Sequence, residues 1–206
     1  MTSKKSKKHW RSHQKHDSYF KKAKTKGLRS RSVFKLIEID NKFKILRPHI
    51  SILDLGASPG GWSKYSVKKL KEKGTLVASD IKPMEKIDNV DFILGDFHTN
   101  EIQIMILKQN SMKKFDLIIS DISPTKTGNR ITDQYHFYDI ANEILEFSKK
   151  ALKSNGTIVM KVFMGLGFEE FNKESKKIFK KTTIFNPKSS RSESAETYLI
   201  ASSIRL

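Results

Sequence analysis

Asp80, Asp96 and Asp121 each stand at the close of an apolar run, in TLVASD, VDFILGD and FDLIISD. An earlier run, ISILDLG, opens into a glycine turn, DLGASPGGW, at residues 54–62. Gly56, Gly60 and Gly61 let the backbone turn sharply and let a ligand approach it where the next helix begins. Asp80 follows Gly56 by 24 residues, the place where a carboxylate can accept hydrogen bonds from two ribose hydroxyls. Asp96 could take a bond from an adenine amino group. The turn is not a GxGxxG and lacks the GK[ST] of a phosphate-binding loop. A diphosphate would be repelled by this acidic rim, whereas a cation would be stabilised by it. S-adenosylmethionine, whose sulfur is a sulfonium, fits. Taken singly, any of these aspartates is more often a turn or helix-cap residue; three at successive strand ends after a glycine turn reverse those odds. Lys161 lies inside another apolar run, VMKVF, where lysine is rarely buried without a partner.

These residues need a scaffold that brings strand ends together. Short apolar runs at 50–56, 75–80, 90–96, 115–121, 156–163, 182–187 and 196–202 read as seven strands. Apolar spacing of three and four predicts helices over 31–43, 60–72, 134–153 and 168–180. Strands alternating with helices predict an open α/β sheet, mostly parallel, with helices on both faces. The last two strands, joined without a crossover helix, should pair antiparallel at one edge. Ligands of such sheets bind beyond the carboxyl ends of the strands, where the strand order reverses.

Charge divides the chain differently. Forty Lys and Arg against 22 Asp and Glu give +18, and residues 1–31 hold twelve of those cations against Asp17 alone. Trp10, Tyr19, Phe20 and three histidines are interleaved with them, a mixture suited to phosphate contact and base stacking. Residues 1–28 are expected to be a flexible, basic, RNA-binding arm and 29–206 a single domain. No apolar run approaches the roughly 20 residues that span a bilayer, and the start lacks a secretion signal, so no membrane partner is expected. Zero cysteines exclude disulfides, thiolate catalysis and cysteine-ligated metals, and no metal is expected.

GLRSRSVFKLIEID (27–40), DLGASPGGWS (54–63), GDF (95–97), SDISP (120–124), VMKVFMGLGFEEF (159–171) and SSRSESAETYLIA (189–201), in that order, make the chain resemble the FtsJ family of RNA 2′-O-methyltransferases from about Tyr19 onward. The resemblance implies a Rossmann-like methyltransferase fold of seven strands with one antiparallel edge strand. It also implies S-adenosylmethionine as methyl donor, released as S-adenosylhomocysteine. The family's Lys-Asp-Lys-Glu tetrad falls on Lys35, Asp121, Lys161 and Glu196. Its cofactor contacts fall on Gly60, Trp62, Asp80, Asp96 and Asp121, to which the turn adds Gly56. Lys35 and partial burial favour a neutral amine at Lys161, while Asp121 and Glu196 favour the ammonium. Lys161 should therefore orient the hydroxyl as much as deprotonate it, with Asp121 positioning it and Lys35 and Glu196 completing the network. His98 and Ser123 read as loop residues, and His136, Asp139 and Glu143 as helix surface. The compact form implies a cytoplasmic, monomeric enzyme acting on a uridine ribose of 23S rRNA in the 50S subunit. A transfer-RNA anticodon-loop methyltransferase is the alternative. A nicotinamide dehydrogenase lacks its GxGxxG here, and a non-catalytic RNA-binding module would not need the tetrad.

Overall fold

In the computed structural model, which describes residues 17–71, 74–123, 127–191 and 194–205, seven strands form one sheet. They are β1 (Ser51–Leu55), β2 (Thr75–Asp80), β3 (Asp91–Leu94), β4 (Phe115–Ser120), β5 (Leu152–Phe163), β6 (Phe179–Phe185) and β7 (Glu196–Ile204). The helices are α1 (Ser18–Thr25), α2 (Val33–Phe43), α3 (Gly61–Val67), α4 (Asn100–Gln109), α5 (Arg130–Ala151) and α6 (Phe168–Ile178). The strand order is β3-β2-β1-β4-β5-β7-β6, with β1 parallel to both β2 and β4. The chain winds outward from β1 in both directions, so the β1/β4 seam is the point where strand order reverses.

Alternate residues of each central strand feed opposite apolar layers, as the two-residue period of a strand requires. Leu53, Ile118 and Met160 pack with Ile106, Phe137, Ile144 and Phe171 of α4, α5 and α6. Ile52, Ile119 and Val159 pack on the other face with Leu36 and Ile39 of α2 and with Trp62 of α3. Burial on both faces is why these strands read as continuous apolar runs.

The last two strands pair antiparallel at the sheet edge as expected, but the reversed strand is not the outermost one. β7 is inserted between β5 and β6 and runs antiparallel to both. α3 ends at Val67, short of 72, where the chain tightens into turns: Lys69 N–H donates to the Ser66 carbonyl at 2.9 Å and Leu70 N–H to the Val67 carbonyl at 3.2 Å. α5 starts at Arg130, four residues before the expected 134, because the Asn129 side chain caps it, accepting from the Ile131 (3.0 Å) and Thr132 (3.3 Å) N–H groups. α4 is an element that apolar spacing does not single out: Ile104 and Met105 face solvent, so its pattern is blurred.

α1 falls within the expected flexible arm. Asp17 caps it, accepting from Phe20 N–H at 3.0 Å, and Tyr19 packs on Phe34 of α2 with ring centroids 5.3 Å apart. Arg31 pairs with Asp17 and donates to the Ser189 carbonyl, while Arg191 lies 3.5 Å from Asp17. Residues 1–16, with the arm's first six cations, lie outside the described residues. Among the described residues no helix is long and apolar enough to cross a membrane.

Candidate active site

The glycine turn sits on the carboxyl end of β2. Gly56 and Ala57 both donate to the Ser79 carbonyl, at 2.9 and 3.2 Å, and Ser58 N–H donates to the Asp80 carboxylate at 2.8 Å. Gly56 has φ +76°, and a Cβ there would come within 2.6 Å of Ile122 Cγ1. Only glycine therefore serves at this crossing of the β1 and β4 ends. The turn, the β2 and β3 ends and the β4 end enclose a cleft of about 400 Å³. Gly56, Asp80, Asp96 and Asp121 line it, joined by Phe97, His98, Ile122 and Ser123.

The residues of this cleft suit a cationic nucleoside. Asp80 accepts from two local N–H groups, Ser58 on one carboxylate oxygen and Lys82 on the other, and Asp96 accepts from that of His98, so both carboxylates keep lone pairs for a ligand. Beneath them Asp54 of β1 is fully buried and accepts from Ser63 Oγ at 2.6 Å, while its Oδ1 has no partner. Burial pushes the Asp54 carboxyl up to about 7 against the pull of the Ser63 hydrogen bond, and the charges of Asp121 and Asp80 add to the rise. That concentration of negative charge is relieved by a cation in the cleft. The sulfonium and ammonium groups of S-adenosylmethionine would meet this demand, and Asp80 and Asp96 both line the cleft.

The tetrad assembles at the far wall. The register pairs Lys161 with Tyr198 and Phe163 with Glu196, which puts Lys161, Tyr198 and Glu196 together at the mouth of the β5/β7 ladder. α2 adds Lys35, whose ammonium lies 2.5 Å from Glu196 Oε1. Lys161 is 5% exposed, donates to the Asp121 carbonyl at 2.8 Å and lies 3.3 Å from Asp121 Oδ1. Two ion pairs thus face each other, and Tyr198 connects them: its hydroxyl is 2.8 Å from Asp121 Oδ1 and 3.4 Å from Glu196 Oε1. Burial opposes ionisation of Asp121, yet the Lys161 and Lys35 ammonium groups and the Tyr198 hydroxyl hold its carboxyl below the usual range. Burial first, then the charges of Asp121 and Glu196, raise the Tyr198 phenol well above its ordinary value, so it stays a donor. Asp121 belongs to both halves, lining the cleft and anchoring Lys161. Such an arrangement can hold a hydroxyl oxygen against Lys161 at the edge of the cleft.

Gly60 and Trp62 do not line the cleft. Gly60 caps α3 at φ +94°. The Trp62 indole is 3% exposed, donates to the Ser32 carbonyl at 2.9 Å and packs on Tyr198 with centroids 5.8 Å apart. It locks the start of α2 to the tetrad.

Three participants escape sequence reasoning. Tyr198 looks like one more apolar strand residue. Arg29 looks like one more arm cation, yet its guanidinium donates to the Pro59, Glu85 and Lys86 carbonyls at 3.1, 2.7 and 3.0 Å, tying the glycine turn to the segment after β2. Glu143, read as helix surface, pairs with His98 and accepts from Gln103 Nε2 at 2.7 Å, while His136 and Asp139 are exposed. The extra signal for Arg29 is its place just ahead of the tetrad helix; Tyr198 offers none beyond its neighbour Glu196.

The family described as FtsJ-like methyltransferase matches residues 28–203. Ribosomal RNA large subunit methyltransferase E of Legionella pneumophila (strain Lens) is 40% identical over 206 residues, covering 100% of both chains. The protein of that name from Pelagibacter ubique is 43% identical over 198 residues, covering 96% of this chain and 97% of the relative. The crystal structure of a protein described as a ribosomal RNA methyltransferase from Plasmodium falciparum superposes with a TM-score of 0.77 at 29% identity, covering 85% of this chain and 98% of that one. A TehB-like methyltransferase from Corynebacterium glutamicum, with a TM-score of 0.56 at 18% identity over 93% of this chain and 98% of its own, shares the fold.

Proposed function

As the chain belongs to the FtsJ-like methyltransferase family, we propose that it transfers a methyl group from S-adenosylmethionine to the 2′-hydroxyl of a uridine ribose in 23S rRNA of the large ribosomal subunit. The observation that carries this reading is the double role of Asp121, which lines the nucleoside cleft and holds Lys161. The names of the full-length relatives favour large-subunit RNA over transfer RNA. The protein acts in the cytoplasm as a monomer, and the arm ahead of α1 is a contact for RNA.

S-adenosylmethionine bound in the cleft supplies a methyl carbon already activated by its positive sulfur. What remains for the protein is position and one proton. Asp80 and Asp96 hold the ribose and adenine ends of the cofactor. A neutral 2′-hydroxyl is a weak nucleophile, and its proton must leave as the carbon–oxygen bond forms. Lys161 is the group placed to orient that hydroxyl; with its amine neutral it takes the hydroxyl proton as the carbon–oxygen bond forms, and Asp121 stabilises the ammonium that results. Lys35 and Glu196 fix the far side of the sugar, and Tyr198 keeps the two pairs in register. DNA lacks the acceptor group.

The test is incubation with methyl-labelled S-adenosylmethionine and separated large-subunit RNA, small-subunit RNA and transfer RNA, followed by mapping of the modified sugar. Label is expected on one ribose of the large-subunit RNA, and none with Lys161→Ala although that variant still binds the cofactor. Label confined to transfer RNA, or a fully active Lys161→Ala protein, would overturn the reading.

A further inference from the structure

The turn after β5 is rigid and yet presents large apolar side chains to solvent. Met164 N–H donates to the Ala195 carbonyl at 2.8 Å, extending the β5/β7 ladder one step past Glu196. Tyr138 of α5 donates its hydroxyl to the Phe163 carbonyl. Gly165 and Gly167, at φ +134° and +85°, lie so close to Gln134 and Tyr138 that a Cβ at either would come within 2.6 and 2.8 Å of them. Phe168 and Phe171 then anchor α6 in the core. With its glycines pressed inward, the turn holds Met164 and Leu166 outward. On the α5 face that the turn packs against, Ile131 and Tyr135 share the stripe of Gln134 and Tyr138 by their spacing of three and four. These four apolar side chains are 46% to 59% exposed. A fixed apolar ledge of this kind marks a binding surface.

We propose that this ledge of Tyr135, Met164 and Leu166 is the subsite that receives an unstacked nucleobase next to the methylated ribose. The inference rests on the RNA-methylating reading above and adds to it where the neighbouring base goes. The ledge begins three residues beyond Lys161 on β5, so it adjoins the place where the target sugar must lie. Across the sheet, on the α2 side of the same strand ends, stand the exposed cations Lys188, whose N–H donates to Glu38 of α2, and Arg191. A single strand laid over these ends has its phosphates toward the cations and its bases toward the apolar side, which is the polarity single-stranded RNA presents. Bases are read in RNA when splayed from the stack onto aromatic or apolar surfaces, and thioether and phenol side chains are suited to that contact.

The experiment uses the full chain and the RNA fragment that carries the mapped ribose. Met164→Ser with Leu166→Ser should raise the KM for RNA about tenfold or more, the scale of one lost base stack, with kcat at saturating RNA and S-adenosylmethionine affinity unchanged. Tyr135→Ser should act in the same direction, and Met164→Phe should bind RNA at least as tightly as the original. Deleting the base beside the target sugar, one side at a time, should raise the KM of the original protein for one of the two RNAs and leave the double variant indifferent to the same deletion. A double variant with unchanged KM, or one that loses affinity additively with both base deletions, would refute the ledge while leaving the methyltransferase reading intact. An original protein that labels no RNA fraction would refute both.

Discussion

At the scale of single residues, the site is two ion pairs whose mutual placement depends on a phenol. Tyr198→Phe removes only the hydroxyl that Asp121 and Glu196 share, and a hydrogen bond to a charged group contributes about 1.5–3 kcal/mol. The variant should fold, bind S-adenosylmethionine normally and lose roughly tenfold or more in kcat, with little change in the KM for RNA; an undiminished kcat would show that Asp121 needs no such tether. Asp54 gives a pH signature of opposite sign to an ordinary paired carboxylate. Its folded value near 7 exceeds an unfolded value near 4, so between those pH values the native state holds a proton that the unfolded chain releases. Stability is therefore lost as pH rises through that window, by up to about 4 kcal/mol from the size of the shift. Asp54→Asn, which mimics the protonated acid, should match the original at pH 4 and surpass it progressively toward pH 7 in urea denaturation of the cofactor-free protein. Parallel curves would sink this assignment. Lys161, Asp121 and the glycine turn are legible in sequence because each breaks the expectation for its place: a cation in an apolar strand, an acid at a strand end, glycines where a helix begins. Lys35 and Glu196 have no such anomaly and come only from the family pattern. Tyr198 and Arg29 are opaque because what matters in them is one polar group on an otherwise ordinary core or arm residue, while Trp62, named by the family pattern as a cofactor contact, is instead buried against Tyr198.

At the scale of elements, the parallel strands are legible because burial on both faces makes them unbroken apolar runs, whereas α4 is hidden by its exposed Ile104 and Met105. The position of β7 between β5 and β6 is a pairing choice that no local pattern encodes. It matters, because only with β7 beside β5 do Glu196 and Tyr198 reach Lys161. The glycine turn is where elements meet most tightly. Gly56→Ala would force a side chain into a left-handed backbone, at roughly 1–2 kcal/mol, and into Ile122 at 2.6 Å. Since Ile122 follows Asp121 directly, the collision displaces the β4 end. The variant should show a lower Tm together with weakened S-adenosylmethionine binding and methyl transfer. A destabilised protein with full cofactor affinity would mean that the β4 end yields without moving Asp121.

At the scale of the whole molecule, the charge ahead of Asp17 is separable from the machinery behind it. Residues 1–16 carry Lys4, Lys5, Lys7, Lys8, Arg11 and Lys15 and no acid, and their removal leaves +12 of the +18. Cutting after residue 16 keeps Asp17, and with it the α1 cap and the contacts to Arg31 and Arg191 that set α1 beside the tetrad helix. The truncated protein should therefore retain its Tm, its cofactor affinity and its kcat at saturating RNA. What it should lose is counterion release. Each phosphate neutralised by a cation contributes about 0.7 to the salt slope of single-stranded binding and about 0.9 on a duplex, so six cations account for up to about 4 to 5 of that slope. Binding of the mapped RNA fragment, measured across a salt series, should weaken most at low salt and show a correspondingly shallower slope. If the slope is unchanged, residues 1–16 make no phosphate contacts, and recognition belongs to the cations from α1 onward, Arg191 and Lys188 among them, and to the ledge. If the truncation also lowers kcat, the arm reaches the reacting sugar itself and is part of the site.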